Sequence, residues 1–171
     1  MSIAPVSITI EHATEQDVPL VLAFIRELGD YERLGHEVVA TETDLRAHLF
    51  GRDRMAYALI AYAEGAPAGF ALYFFNFSTF LAKPGLYLED LFVKPAWRRH
   101  GVGRALLSRL ARIAIDRGCG RMEWSVLTWN ELALGFYRGL GAQTMDGWRT
   151  CRLTEAAIAA LADGAAAAPR R

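Results

Sequence analysis

The chain contains little cysteine and histidine, and the few such residues are scattered. Its 171 residues include two cysteines, Cys119 and Cys151, and four histidines. Two isolated cysteines exclude a disulfide framework, and the histidines do not follow the spacing of metal ligands. We therefore expect no structural metal.

The sequence also lacks an excess of charge and long apolar runs. Basic and acidic residues number 19 each, so the formal net charge is zero. Nothing in this balance favours nucleic acid or an anionic membrane as a partner. No apolar stretch approaches the roughly 20 residues of a membrane span, and residues 1–10 lack the pattern of a secretion signal. We expect a cytoplasmic protein that binds neither nucleic acid nor membrane.

The spacing of apolar residues predicts an α/β fold in one domain. Strands are expected at 6–11, 55–63, 68–77, 86–93 (the central strand), 121–127 and, as one or two short pieces, within 144–153. Helices are expected from about 14 to a stop at Gly29, then at 43–50, 102–117, 131–138 and 154–162. Residues 30–33 read as a loop, and the low-complexity stretch 165–171 as disordered.

Residues 87–103 carry the strongest functional signal. An apolar strand is followed by a turn containing Gly101 and Gly103, after which the periodicity of a helix begins at once. Such a turn directs several backbone N–H groups outward at the helix N-terminus, and this arrangement binds phosphate or pyrophosphate. The glycines allow the backbone to approach closely. Because Glu89 and Asp90 lie just upstream, we expect a phosphorylated cofactor to meet a cationic substrate here.

The order of motifs resembles the GNAT superfamily of acyl-CoA-dependent N-acetyltransferases. The resemblance covers about residues 6–155: a strand, Arg-Arg-x-Gly-x-Gly at 98–103, a long helix, a strand and an Asn-capped helix containing Phe136-Tyr137. Segments similar to the diamine (spermidine/spermine) and thialysine acetyltransferases are 27–32, 87–93, 129–131 and 147–149. The resemblance implies a single GNAT domain at 6–155, with a mixed, mostly antiparallel sheet flanked by helices. Residues 156–171 would form a helix end and tail.

The resemblance also implies a donor, a quaternary state and a set of site residues. The donor would be acetyl-CoA, and the protein would be a homodimer. The pantetheine arm would lie along the backbone of Leu91, Phe92 and Val93. The pyrophosphate would be held by Arg98, Arg99, His100, Gly101, Val102, Gly103 and Arg104. Asn130, Glu131, Leu132 and Ala133 would hold the pantetheine near the thioester, and Tyr137 would face the sulfur. The amine site would be lined by Tyr31, Glu32, Glu89, Asp90, Glu123, Trp124 and Ser125.

The chemistry of acetyl transfer assigns roles to these groups. An alkylamine with a pKa of about 10.4 is protonated at neutral pH, so it must lose a proton before it attacks. Glu89 is the candidate base, directly or through a water. A backbone N–H near Leu91 can stabilise the oxyanion, and Tyr137 can protonate the leaving thiolate because a phenol keeps its proton at pH 7. Asp90 and Glu32 would bind the cationic amine by charge.

Several alternatives stay open. Adjacent residues on a strand face opposite sides, so either Glu89 or Asp90 could be a plain surface charge. Tyr137 also fits a core aromatic pair with Phe136, and Asn130 a simple helix cap. The expected substrate is a small cationic amine, such as a polyamine, a diamine or a thialysine- or lysine-like amino acid. The alternatives are a protein N-terminal or lysine acetyltransferase and a non-catalytic acyl-CoA-binding sensor.

Overall fold

The computed structural model describes residues 6–164. Strands β1 to β5 run over Ile8–His12, Tyr57–Ala63, Ala66–Ser78, Lys83–Val93 and Arg121–Trp124. Helices α1 to α5 run over Val18–Tyr31, Glu42–Phe50, Val102–Asp116, Glu131–Arg138 and Glu155–Ala162. The chain forms two compact units that divide between Ser125 and Val126. The sheet and α1 to α3 belong to the first unit, and α4 and α5 belong to the second.

The strands form one sheet in the order β1-β2-β3-β4-β5. The first four are antiparallel to their neighbours, and β5 is parallel to β4. This confirms the predicted mixed, mostly antiparallel sheet flanked by helices. However, β4 is the fourth strand in this order and not the central one, because β1 adds to the far edge. In the described range, no helix is long and apolar enough to cross a membrane.

Both faces of the sheet are buried by helices. On one face, Phe24 of α1 stacks on Phe70 of β3 with ring centroids 5.4 Å apart, and Phe92 of β4 packs beside them. Alternation along β2 and β3 turns Leu59 and Ala71 to the opposite face, where α3 packs against all five strands. The first unit therefore has three layers, α1, the sheet and α3, and the packing of these layers holds the end of β4 in place.

Helix α1 is longer than the sequence predicts. It passes through Gly29 and ends at Tyr31, so residues 30 and 31 are helical and not in a loop. Gly29 is buried, and a Cβ built on it would lie 2.8 Å from Cγ2 of Val38. The absence of a side chain at Gly29 thus allows Val38 to approach α1 closely, and Gly29 does not end the helix. The extension carries Tyr31 and Glu32 to the end of α1.

Five other predictions concern the C-terminal part. Residues 144–153 contain no strand, and β5 ends at Trp124, three residues before its predicted end. The predicted helices at 131–138 and 154–162 are confirmed as α4 and α5. The tail at 165–171 lies outside the described residues.

Candidate active site

The turn between β4 and α3 has the geometry of an anion-binding nest. A single 3₁₀ turn, Pro95–Trp97, follows the strand, and then Arg99 and Gly101 adopt positive φ values of 66° and 91°. The N–H of Ala105 is the first to donate back, to the carbonyl oxygen of Gly101 at 2.9 Å. Within the described chain, the six N–H groups of residues 99–104 find no acceptor. A run of unpaired donors at a helix N-terminus is suited to a phosphate oxygen.

Two exposed arginines flank this nest. The guanidinium groups of Arg99 and Arg104 form no ion pair within residues 6–164. The exposed ring of His100 is held at the turn, with its Nδ1 2.8 Å from the carbonyl oxygen of Arg98. The nest, the two arginines and the histidine form one positive surface at the start of α3.

Strand β4 has an unpaired edge next to this turn. Its parallel pairing with β5 covers Gly85 to Leu88 and stops where β5 ends at Trp124. Strand β4 continues to Val93, so among residues 6–164 the edge of residues 89–93 that faces away from β3 has no strand partner. Exposed main-chain groups of this kind pair readily with an extended chain.

A β-bulge changes the orientation of the acidic pair. Opposite β3, Tyr73 pairs with Leu88 and Leu72 pairs with Asp90, so Glu89 is an extra residue without a partner. The bulge breaks the alternation on which the sequence argument about Glu89 and Asp90 depends. Asp90 lies on the same face as Phe92, under α1, whereas Leu88 lies on the α3 face. Glu89 is exposed to solvent.

Two carboxyl groups act on a third, that of Asp90, at this bulge. Burial, reinforced by the negative charges of Glu89 and Glu32, raises the pKa of Asp90 to about 7. Burial also raises the pKa of Glu32, which follows the last residue of α1. The Asp90 carboxyl has no hydrogen-bond or ion-pair partner among residues 6–164. A carboxyl group in this position is stabilised by an incoming cation.

Arg98 connects the turn to the acceptor side. Its Nε donates to the carbonyl oxygen of Val93 at 3.1 Å. Its guanidinium carbon lies 4.4 Å from the ring centroid of Tyr31 and 5.9 Å from that of Phe92. The side chain of Arg98 is thus engaged with the end of β4 and the end of α1, while the nest itself is formed by the residues after it.

The predicted residues at the end of β5 are held by neighbours in the first unit. Glu123 forms an ion pair with Arg121, with 2.8 Å between Oε2 and Nε. The hydroxyl groups of Ser125 and Tyr87 are 2.9 Å apart. Tyr87 was not singled out from the sequence, and its position in the segment Tyr-Leu-Glu-Asp is the signal that could have found it. Trp124 is partly buried.

The second unit contains the remaining predicted residues. Oδ1 of Asn130 accepts a hydrogen bond from the N–H of Ala133 at 3.2 Å and so caps α4. Glu131 pairs with Arg138 at 3.7 Å, and Leu132 is exposed. Tyr137 is partly buried, and its ring centroid lies 5.4 Å from that of Phe136. Within this unit, the arrangement is that of an amphipathic helix with a side-chain cap.

Comparison with known proteins identifies the family. A model of the acetyltransferase (GNAT) family matches residues 23–142. Thialysine N-epsilon-acetyltransferase of Bos taurus is 36% identical over 166 residues, covering 91% of this chain and 97% of that protein. L-ornithine N5-acetyltransferase of Arabidopsis thaliana is 33% identical over 197 residues, covering 89% and 86%. An integron cassette protein from V. cholerae has a structure that matches with a TM-score of 0.76 and 28% identity, covering 91% and 98%.

The fold is therefore that of an acetyltransferase. The chain belongs to the GNAT family of acetyltransferases, and it is an acetyl-transferring enzyme. Within this family, the resemblance to the thialysine and diamine enzymes is confirmed. Enzymes with this fold use acetyl-CoA as their donor.

Proposed function

We propose that this enzyme transfers the acetyl group of acetyl-CoA to a primary amine of a small cationic substrate: a polyamine, a diamine or a thialysine- or lysine-like amino acid. The observation that carries the proposal is the position of Asp90. A carboxyl group without a protein partner, next to Glu32 and Glu89, lies where β4 has a free edge. Relatives named for thialysine and ornithine support the same class of acceptor.

The residues of the first unit fit the donor. The unpaired N–H groups of residues 99–104 would hold the pyrophosphate, with Arg99 and Arg104 neutralising its charge. The free edge at Leu91, Phe92 and Val93 would pair with the amide groups of pantetheine. Acetyl-CoA supplies an activated thioester. The protein has to orient this thioester, to accept a proton from the amine and to donate one to the leaving thiolate.

The acidic groups would bind and deprotonate the amine. Asp90 ionises as the ammonium enters, because the cation supplies the stabilisation that burial removes. Glu89 takes a proton from the ammonium, directly or through a water, and leaves the lone pair free to attack. Asp90 is a second candidate for this base, since a pKa of about 7 suits proton transfer at neutral pH.

Transfer would then proceed by direct attack. The amine nitrogen forms a bond to the carbonyl carbon, the carbon–sulfur bond breaks, and the oxyanion is held by a backbone N–H near Leu91. Tyr137 gives its proton to the leaving thiolate and regains one from solvent, which also takes the second proton that the nitrogen loses as the amide forms. The role of Tyr137 rests on its sequence motif, as do the contacts of Asn130, Glu131, Leu132 and Ala133 with pantetheine. A homodimer is part of the same proposal, and light scattering measures it.

A spectrophotometric screen of free-thiol release from acetyl-CoA tests the proposal. We expect turnover with small diamines and lysine-like amino acids and none with acetylated peptides lacking a lysine. Turnover on peptide N-termini alone would favour a protein acetyltransferase. Coenzyme binding without turnover on any amine would favour the sensor.

A glycine pair tests the donor site separately. Gly101→Ala places a side chain at a φ of 91° in the nest, whereas Gly118→Ala does so at 66° beyond the other end of α3. Both variants carry comparable backbone strain. We expect only Gly101→Ala to lose affinity for acetyl-CoA in calorimetry. Equal affinity in the two variants would contradict the assignment of the nest.

A further inference from the structure

Outside the proposed active site, arginines gather over an aromatic cluster on the α3 side of the sheet. The rings of Tyr57, Tyr73 and Phe75 contact one another, with centroids 5.4 to 5.9 Å apart. The guanidinium carbon of Arg54 lies 3.9 Å from the ring centroid of Tyr57, and that of Arg117 lies 5.2 Å from Phe75. Two cations from different segments thus cover one apolar surface.

A third arginine and a histidine extend this cluster. Nη2 of Arg109, on α3, is 3.4 Å from Nε2 of His12, at the end of β1. His12 pairs with Leu59, two residues from Tyr57, so it shares the α3 face of the sheet. Burial lowers the pKa of His12, and the positive charges of Arg109 and Arg54 lower it further. Burial and the neighbouring cations thus both favour the neutral imidazole.

No carboxylate balances these charges. Arg54, Arg109 and Arg117 form no ion pair within residues 6–164, and neither do Asp53 and Asp116, which adjoin two of them in sequence. All three arginines act on the hydroxyl of Tyr73, whose pKa is raised by burial against their effect. By their contacts, Arg54 and Arg117 lie on the aromatic cluster and Arg109 lies beside it at His12. Like charges gathered in this way favour the binding of an anion.

We propose that Arg54, Arg109 and Arg117 form a binding site for a small doubly charged oxyanion, either inorganic phosphate or a phosphate monoester. A guanidinium group offers a planar fork of donors that matches phosphate oxygens. An anion between the arginines supplies the missing counter-charge and allows His12 to protonate and donate as well. A polyanion such as nucleic acid is disfavoured because the whole chain has 19 basic and 19 acidic residues.

The imidazole of His12 reports on this site, and its NMR titration tests the proposal. In chloride its midpoint lies below the ordinary value of about 6.5. Phosphate at equal ionic strength is expected to raise the midpoint above its value in chloride, since a neighbouring anion favours the imidazolium. O-phosphoserine in the same experiment distinguishes a monoester site from a site for inorganic phosphate, according to which acts at the lower concentration.

Three glutamine substitutions locate the effect. Arg54→Gln and Arg109→Gln are expected to abolish the difference between phosphate and chloride. Arg112→Gln, one turn along α3 from Arg109 and without influence on His12 or Tyr73, is expected to keep it. A midpoint that is equal in phosphate and chloride overturns the proposal. So does a phosphate response that survives in Arg54→Gln and Arg109→Gln, or that is lost only in Gly101→Ala, since the anion would then lie elsewhere.

Discussion

The guanidinium group of Arg98 lies over the ring of Tyr31, with 4.4 Å between its carbon and the ring centroid. Arg98 begins the turn proposed to hold the pyrophosphate, and Tyr31 ends α1 next to Glu32. The hydrogen bond from Nε of Arg98 to the carbonyl oxygen of Val93 fixes the same side chain to the end of β4. One residue thus joins the donor side of the proposed site to its acceptor side.

Replacing Arg98 by methionine should affect the amine more than acetyl-CoA. The cation–π contact is worth about 1 kcal/mol, so we expect the KM for the amine to rise about fivefold. Arg99→Met is the matched control, because Arg99 is exposed in the nest and should affect the KM for acetyl-CoA. Steady-state kinetics in both substrates measure the two effects. An Arg98→Met enzyme changed only toward acetyl-CoA would contradict the connection to Tyr31.

The two candidate bases differ in the pH dependence they produce. Because the pKa of Asp90 is about 7, its negative charge develops as the pH rises through 7. If Asp90 binds the ammonium, kcat/KM for the amine should rise over this range, and Asp90→Asn should flatten that limb. Glu89→Gln should lower kcat by about 10²–10⁴-fold and keep the limb but move it to lower pH, because the Glu89 charge that helps to raise the pKa of Asp90 is removed. If Asp90→Asn lowered kcat and Glu89→Gln flattened the limb instead, Asp90 would be the base.

The raised pKa of Asp90 also has a consequence for stability. The ordinary value is 3.8 and the folded value is about 7, so the folded state binds this proton more tightly than the unfolded state. The stabilisation is complete below pH 3.8 and is lost as the pH rises to 7. Asp90→Asn should therefore gain stability relative to wild type, by at most about 1.4 kcal/mol per pH unit between these values.

Urea unfolding at a series of pH values measures this difference. The gain of Asp90→Asn should grow from pH 5 to pH 7 and level off above it. Asp53→Asn removes an exposed carboxyl group. Its free energy of unfolding should differ from that of wild type by a constant amount from pH 5 to pH 8. A constant gain for Asp90→Asn would show that the folded protein does not hold this proton.

Features that depend on neighbouring residues could be predicted from the sequence. The nest at Gly101 needs only a strand, a glycine turn and a helix in succession. The cap at Asn130 needs only a short polar side chain before an apolar helix, and it is present with the expected bond to Ala133. In each case, the residues that decide the structure lie within a few positions of one another.

Features that depend on another part of the chain could not be predicted from the sequence. The bulge at Glu89 exists because Tyr73 pairs with Leu88 and Leu72 with Asp90, and this register is absent from the strand's own pattern. The contact of Arg98 with Tyr31 joins residues far apart in sequence. For 144–153, the local pattern predicts one or two short strands, and such a pattern is a weak guide where no partner strand is specified.

Replacing Tyr137 by phenylalanine tests the proposed general acid. The phenol proton is lost while the ring is kept, so we expect kcat to fall by about 10²-fold or more and the affinity for coenzyme A, measured by calorimetry, to stay unchanged. Tyr62→Phe, a partly buried tyrosine on β2, should retain wild-type kinetics. If Tyr137→Phe turns over normally, the tyrosine serves packing with Phe136 instead.

Gly29 should resist even the smallest side chain. A Cβ there would lie 2.8 Å from Cγ2 of Val38 and 3.3 Å from the backbone of Gly35, so Gly29→Ala should destabilise the protein by about 1–3 kcal/mol in urea unfolding. Gly135→Ala, in α4 with no atom within 4 Å of its Cβ, should stabilise its helix by about 0.5–1 kcal/mol. Adding Val38→Ala removes the clashing methyl group and should recover part of the Gly29→Ala loss. Without such recovery, the close approach to Val38 is not the reason for glycine at this position.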